Sequence, residues 1–445
     1  MKGLIFTYVL TYGGAFVSLF DPYKGLLIYI TFAIIKPESL WHWSVPAGGN
    51  YSRIVALGLL AGWALHGFGS WRLGRAGLIV AALVGYFAWS ALSAPFAVAD
   101  TAVAWRQVEE YAKIVLPFLV GITTIHTLRQ LKQLAWVIVL AQGYLAYEFN
   151  VTYLTAPFDP NDWEFASLDR NGIAITMVTS LGLAGFLGLY AERWWRKLPA
   201  LAAAGCMVHV VLFSLSRGGM LALLITAAIS VWIVPKRPGY IALMALGLIV
   251  GLRLAGPQVV ERFDTIFASE DSRDYSAQSR VELWAACIRV MLAHPVFGIG
   301  SNNWRLVAHN YGFNYGKDAH TMWLHVGAEL GMAGLAFLLT FYGGCVLRLR
   351  RLGKPRSEVP DPWFRYFAHM VIAAIGGFAI SAQFVSVYAI ELPFYVVLLG
   401  AGALKVCSLA ARDAGAGPWP PAAAVPEPAA VPVPCSAHSP VEGWS

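Results

Sequence analysis

NGIAITMVTSLGLAGFLGLYA, residues 171–191, runs without one charged side chain. Wound as a helix at about 1.5 Å per residue it reaches roughly 30 Å, the thickness of the hydrocarbon core of a bilayer. Lipid offers no water to bond backbone amides, so such a run must satisfy them within its own helix. The run is one of many. Hydrophobic residues make up 58% of the chain and charged residues 13%, with a mean hydropathy of +0.59, whereas a soluble domain carries about 25% charged residues. Apolar windows place spans at 3–20, 53–68, 76–96, 112–125, 134–149, 171–191, 198–215, 218–234, 240–256, 321–347, 366–388 and 393–411. The expected fold class is therefore an all-α polytopic membrane protein of about twelve transmembrane helices.

Two N-terminal features need separate readings. The first span begins at Gly3 with no small-residue cleavage pattern behind it, so it is expected to be retained rather than removed as a signal peptide. GLLIYITFAII (25–35) is apolar for only eleven residues before KPESLWHW, and is expected to be interfacial or re-entrant rather than a further crossing.

The net charge of +7 at pH 7 is spread over short clusters, which argues against a nucleic-acid surface and for topology determinants. WRLGR (71–75), HTLRQLKQ (126–133), ERWWRK (192–197), PKRPG (235–239) and RLRRLGKPR (348–356) are expected on the cytoplasmic side. The intervening loops, 97–111, 150–170 and 257–320, fall on the other side, and twelve spans leave both termini cytoplasmic. The five cysteines stand singly, without metal-like pairing, and read as small apolar side chains. Four regions follow: helices one to nine in 1–256, an extracytoplasmic loop with amphipathic helices in 257–320, the C-terminal helices in 321–411, and a Pro/Ala tail, 412–445, expected to be disordered.

Chemistry is expected to concentrate in 257–320, which holds seven acids and six Lys or Arg in a chain that otherwise avoids charge. Within it SRVELWAACIRVMLAHP (279–295) carries Val281, Trp284, Ile288, Met291 and Leu292 at helical spacing and ends at Pro295, so it reads as an amphipathic helix against the membrane domain or its interface. GIGSNNW (298–304) reads as a turn that shares two glycines with phosphate-cradling loops.

Three basic residues converge on the extracytoplasmic face: Arg217 in SLSRGGM, Arg280 at the start of the loop helix, and His320 where the chain re-enters the membrane. Paired guanidinium forks suit diphosphate oxygens, and an imidazole accepts a hydroxyl proton near neutral pH. Each also has a structural reading. Arg217 could be a snorkelling interfacial anchor, although the two glycines behind it favour a site. Arg280 could be a solvated helix residue beside Glu282, and His320 an interfacial histidine. His325 and Glu329, one turn apart, read as a buried pair. His294 reads as a turn residue and Asn171 as a helix cap, while Arg305, His309 and Lys317 line or solvate the loop. No Asp-x-Asp pair or acidic cluster suggests a metal site, and no cofactor is expected.

SRGGMLALL, then SRVELW with HPVFGIGSNNW, then AHTMWLHVGAELGMAGL resemble in order and spacing the O-antigen ligase and polymerase superfamily, by size most nearly the lipid A core:O-antigen ligases. The N-terminal DPYKGLLIYITFAIIKPESL is also similar to relatives described as exosortase-associated O-glycosylation ligases. The resemblance implies a fold like that of C-type glycosyltransferases and a metal-independent transfer from an undecaprenyl-diphosphate-linked glycan. Arg217, Arg280 and His320 match the family's two arginines and its histidine. Many relatives carry Asn directly after that histidine, where this chain has Thr321.

The resulting expectation is an inner-membrane glycosyltransferase that moves O-antigen onto lipid A core, with inversion, at the periplasmic face. His320 would act as base, and Arg217 and Arg280 would bind the donor diphosphate. A protein O-oligosaccharyltransferase and a polysaccharide polymerase share the donor and motifs and differ in acceptor. A flippase or transporter for lipid-linked sugars is the non-enzyme alternative, against which stand the lack of a pseudo-repeat and the concentration of charge on one outer face.

Overall fold

The computed structural model describes residues 2–155, 164–236, 238–242, 247, 275–354, 359–386 and 390–413. The chain is an all-α polytopic membrane protein. Among the described residues the only β feature is an isolated bridge between Phe165 and Leu168. Eight helices there are long and apolar enough to cross a membrane: Lys2–Phe20, Gly74–Phe96, Leu128–Thr155, Arg170–Tyr190, Trp194–Phe213, Met322–Leu352, Pro362–Ser381 and Leu392–Arg412. Each falls on an expected span. Two more spans are met by the shorter helices Tyr51–Leu65 and Arg217–Ile233, and 112–125 is the second half of the helix Thr101–Thr124. Most of 240–256, the loop residues 257–274 and the tail from 414 lie outside the described residues.

Acidic and hydroxyl residues start many of these helices, because the first turn of a helix leaves amide donors without partners. Asp100 accepts from the amides of Ala102 and Val103 at 2.7 and 3.2 Å, Asp169 from Gly172 at 2.7 Å, and Asp361 from Trp363 at 2.8 Å. Arg170–Tyr190 is 83% buried by other helices and lies at the centre. Lys2–Phe20 and Trp194–Phe213 are each 28% buried and form the lipid-facing periphery.

Loop contacts sort the helix ends into two faces. At one, Ser70 donates to the Thr123 carbonyl at 2.9 Å, Arg75 to Ser408 at 3.2 Å and Arg348 to the Arg75 carbonyl at 3.3 Å, while the Lys132 ammonium stands 4.2 Å above the Trp363 ring. This is the basic face. At the opposite face, Val98 donates to the Ile299 carbonyl, Ser216 to Asn171 and His320 to Ser386.

The N-terminal topology differs from expectation. Gly25 packs on Ser18 and Gly14 on Ile28, so Lys2–Phe20 and Pro22–Ile35 form an antiparallel hairpin. Gly58 on Ala15 and Gly62 on Ser18 then make Tyr51–Leu65 run parallel to the first helix. Residues 22–40 therefore carry the chain back across the bundle, and Gly3, packed on Trp41, lies at the face opposite the basic one. The interfacial reading of 25–35 and the assignment of the N terminus to the basic side are both corrected. A helix shielded by protein does not need a 20-residue apolar run. Leu26 and Ile30 are fully buried, and Asp21 caps the helix start by accepting from Lys24 at 3.1 Å.

The loop helix Tyr275–Ala293 forms where the periodicity placed it, but another face is inward. Leu283, Ala286, Cys287 and Val290 are buried with Ile299, Trp304 and Ala328, whereas Val281, Ile288 and Leu292 are exposed. The inward face carries only Leu283 and Val290 as branched apolar residues, beside the small Ala286 and Cys287, so the bulkier Trp284, Ile288, Met291 and Leu292 drew the reading to the neighbouring face.

Candidate active site

The site is assembled at the face opposite the basic loops. Arg217 is the first residue of Arg217–Ile233, and Ser216 caps that helix by accepting from the Gly219 amide at 3.3 Å. The same hydroxyl donates to Asn171 Oδ1 at 2.8 Å, and Asn171 Nδ2 donates to Asp169 at 3.3 Å. Asp169, rather than Asn171, is thus the cap of Arg170–Tyr190, and Asn171 joins the two helix starts. That clamp puts Arg170 and Arg217 in adjacent first turns, where the helix dipoles add positive potential.

The glycines behind Arg217 allow close approach. A side chain at Gly218 would meet Phe384 at 2.9 Å, and one at Gly219 would meet Ala174 at 2.7 Å. Phe384 also faces Trp284, one turn after Arg280, with ring centroids 6.1 Å apart. Ser386, two residues on, accepts the His320 amide at 3.1 Å, and the Met322 amide donates to the Ala382 carbonyl at 2.7 Å. Segment 382–386 therefore touches each of the three elements that carry Arg217, Arg280 and His320. Sequence reading placed it inside the span 366–388, yet the helix ends at Ser381. Gln383 and Ser386, which interrupt the apolar run, were the available signal.

His320 has a left-handed backbone, φ 51°. Burial of its ring lowers its pKa below the ordinary value, Arg280 lowers it further and Lys317 adds to that, against the opposing pull of Asp318 and Asp169. Arg280 thus lies within electrostatic reach of the histidine, and the imidazole is held neutral, as a proton acceptor requires. Next to it, Thr321 makes no cap bond and its buried hydroxyl has no partner among the described residues.

Other candidates have structural work. Arg305 grips Asp318 through two hydrogen bonds of 2.7 and 2.5 Å. His325 and Glu329 form the expected buried pair at 2.9 Å. The carboxylate of Glu329 also accepts the amides of Asn302 at 2.7 Å and Trp304 at 3.0 Å, while the amides of Ile299 and Gly300 donate to the carbonyls of Ala328 and Glu329. Four amides of GIGSNNW, those of Ile299, Gly300, Asn302 and Trp304, are therefore spent on the helix beneath it, which removes its likeness to a phosphate cradle. His294 ends its helix ahead of Pro295, as a turn residue. Beside the His325–Glu329 pair lies a cavity of about 30 Å³, lined also by Tyr86, Tyr111 and Phe394, room for about one water. Among the described residues no group of three or more His, Cys, Asp or Glu is placed to hold a metal ion.

The described helices that are long and apolar enough to cross a membrane define a multi-pass membrane protein. The family described as O-antigen ligase matches residues 200–339, which contain Arg217, Arg280 and His320, and this match supports the O-antigen ligase superfamily for that region. No curated protein matches the chain.

Proposed function

We propose that the protein transfers an undecaprenyl-diphosphate-linked O-antigen to the lipid A core at the periplasmic face of the bacterial inner membrane. An outer-core hydroxyl oxygen attacks the anomeric carbon of the donor, the bond from that carbon to the diphosphate oxygen breaks, and configuration at carbon inverts. The hydroxyl proton passes to His320, and the diphosphate leaves with the bonding electrons into the field of Arg217 and Arg280.

The observation that carries this reading is the joining, through Phe384 and Ser386, of the elements that bear Arg217, Arg280 and His320. The O-antigen ligase family match over 200–339 supports a ligase or polymerase type of transfer. The test is reconstitution of the purified protein with lipid-linked donor and rough lipopolysaccharide. A ladder of glycan-bearing lipopolysaccharide is expected. A product that appears only on protein, or only as lengthened donor, would overturn the acceptor assignment.

A further inference from the structure

Trp284 follows Arg280 by four residues on Tyr275–Ala293, so the two side chains leave one face of the helix a turn apart. Its ring stands 6.1 Å from that of Phe384, tilted by 49°. Phe384 lies against Gly218, the neighbour of Arg217, and its segment holds the His320 amide through Ser386. Trp284 thus sits between the elements that carry all three basic residues.

The indole N–H of Trp284 is buried and has no hydrogen-bond partner among the described residues. Buried indole donors are normally paired, and a donor left without an acceptor weakens the fold around it until an oxygen is supplied. An aromatic face beside that donor also suits a sugar ring, whose C–H groups pack on the ring while its oxygens meet polar partners.

We propose that Trp284 is a donor-binding residue: its indole N–H donates to an oxygen of the diphosphate held by Arg280, and its ring, backed by Phe384, forms the face on which the first sugar lies. This rests on the lipid-linked donor reading above. It assigns recognition of the leaving group to a neutral donor as well as to the two arginines.

The test compares full-length protein in nanodiscs, wild type beside Trp284→Phe, which keeps an aromatic face and removes the N–H. Trp232→Phe, at an exposed tryptophan near the basic face, is the control. Affinity is measured for undecaprenyl diphosphate and for undecaprenol, which lacks phosphate. Trp284→Phe should weaken undecaprenyl diphosphate binding about tenfold, lower the ligation rate with it and leave undecaprenol binding unchanged. Trp232→Phe should change none of these. Equal weakening toward both lipids would show a merely structural ring, and undecaprenyl diphosphate affinity within about twofold of wild type would remove the N–H assignment; either overturns the proposal. Wild-type protein that does not bind undecaprenyl diphosphate at all would instead overturn the donor reading, and this inference with it.

Discussion

His320 sits in a left-handed backbone conformation that non-glycine residues seldom adopt, so its position depends on the groups that hold it. Ser386 accepts its amide at 3.1 Å. Ser386→Ala should lower the ligation rate about fivefold, the equivalent of a net hydrogen bond of about 1 kcal/mol, while leaving donor affinity alone; an equal loss in both would show that Ser386 serves the donor. The pH profile gives a second test. Burial, and then the charge of Arg280, hold the imidazole below the ordinary histidine pKa, so the acid limb of ligation should fall below about pH 6.5. Removing the cation favours the imidazolium, so Arg280→Gln should move that limb to higher pH, and an unmoved limb would place Arg280 out of reach of His320. These charged residues were legible in the sequence because charge is rare in a chain of this composition. Phe384 and Trp284 were not, since phenylalanine and tryptophan are ordinary components of membrane spans and helix faces, and only the fold brings them to the site.

Helix Met322–Leu352 is continuous in sequence pattern but broken at Gly331, with φ 69° and ψ −172°. A side chain there would collide with the carbonyls of Pro295 and Val296, so the break is where the loop after Tyr275–Ala293 docks. Glu329, two residues before, fastens that loop by accepting the amides of Asn302 and Trp304. Asn303 extends the fastening by accepting the amides of Ala99 and Asp100 at 3.1 and 2.8 Å. Glu329→Leu would leave the amides of Asn302 and Trp304 without this acceptor, at about 1–3 kcal/mol for each unsatisfied group. Its thermal unfolding midpoint in detergent should therefore drop well below that of Arg305→Ala, which breaks a partly exposed ion pair worth about 0–1 kcal/mol. Comparable midpoints would mean that the loop is held by other contacts. The sequence shows Glu329 four residues after His325, and helical geometry pairs them. What it hides is that one carboxylate also captures a segment 25 and 27 residues away, because nothing local marks those amides as needing an acceptor.

For the whole molecule, alternation of basic loops agrees with the described helix ends from Trp71 onward, and the bond from Arg348 to the Arg75 carbonyl joins two of those loops at one end. The failure was at the N terminus, where Pro22–Ile35 is too short to be recognised as a crossing yet pairs antiparallel with Lys2–Phe20. Single cysteines placed near Gly3 and near Ser301 should both react with an impermeant thiol reagent added outside spheroplasts, and one near Gly353 should not. Labelling at Gly353 together with silence at Gly3 would reverse the site. The claim that the far face performs the transfer is tested most directly by measuring donor affinity and ligation rate together for Arg217→Ala, Arg280→Ala and His320→Ala in proteoliposomes holding rough lipopolysaccharide. Loss of the base should lower ligation by about 10²-fold or more with donor still bound, whereas each arginine variant should lose affinity and rate together, with Lys at either position rescuing only part. A His320→Ala protein that ligates at near the wild-type rate, or loses donor as completely as the arginine variants, would contradict it.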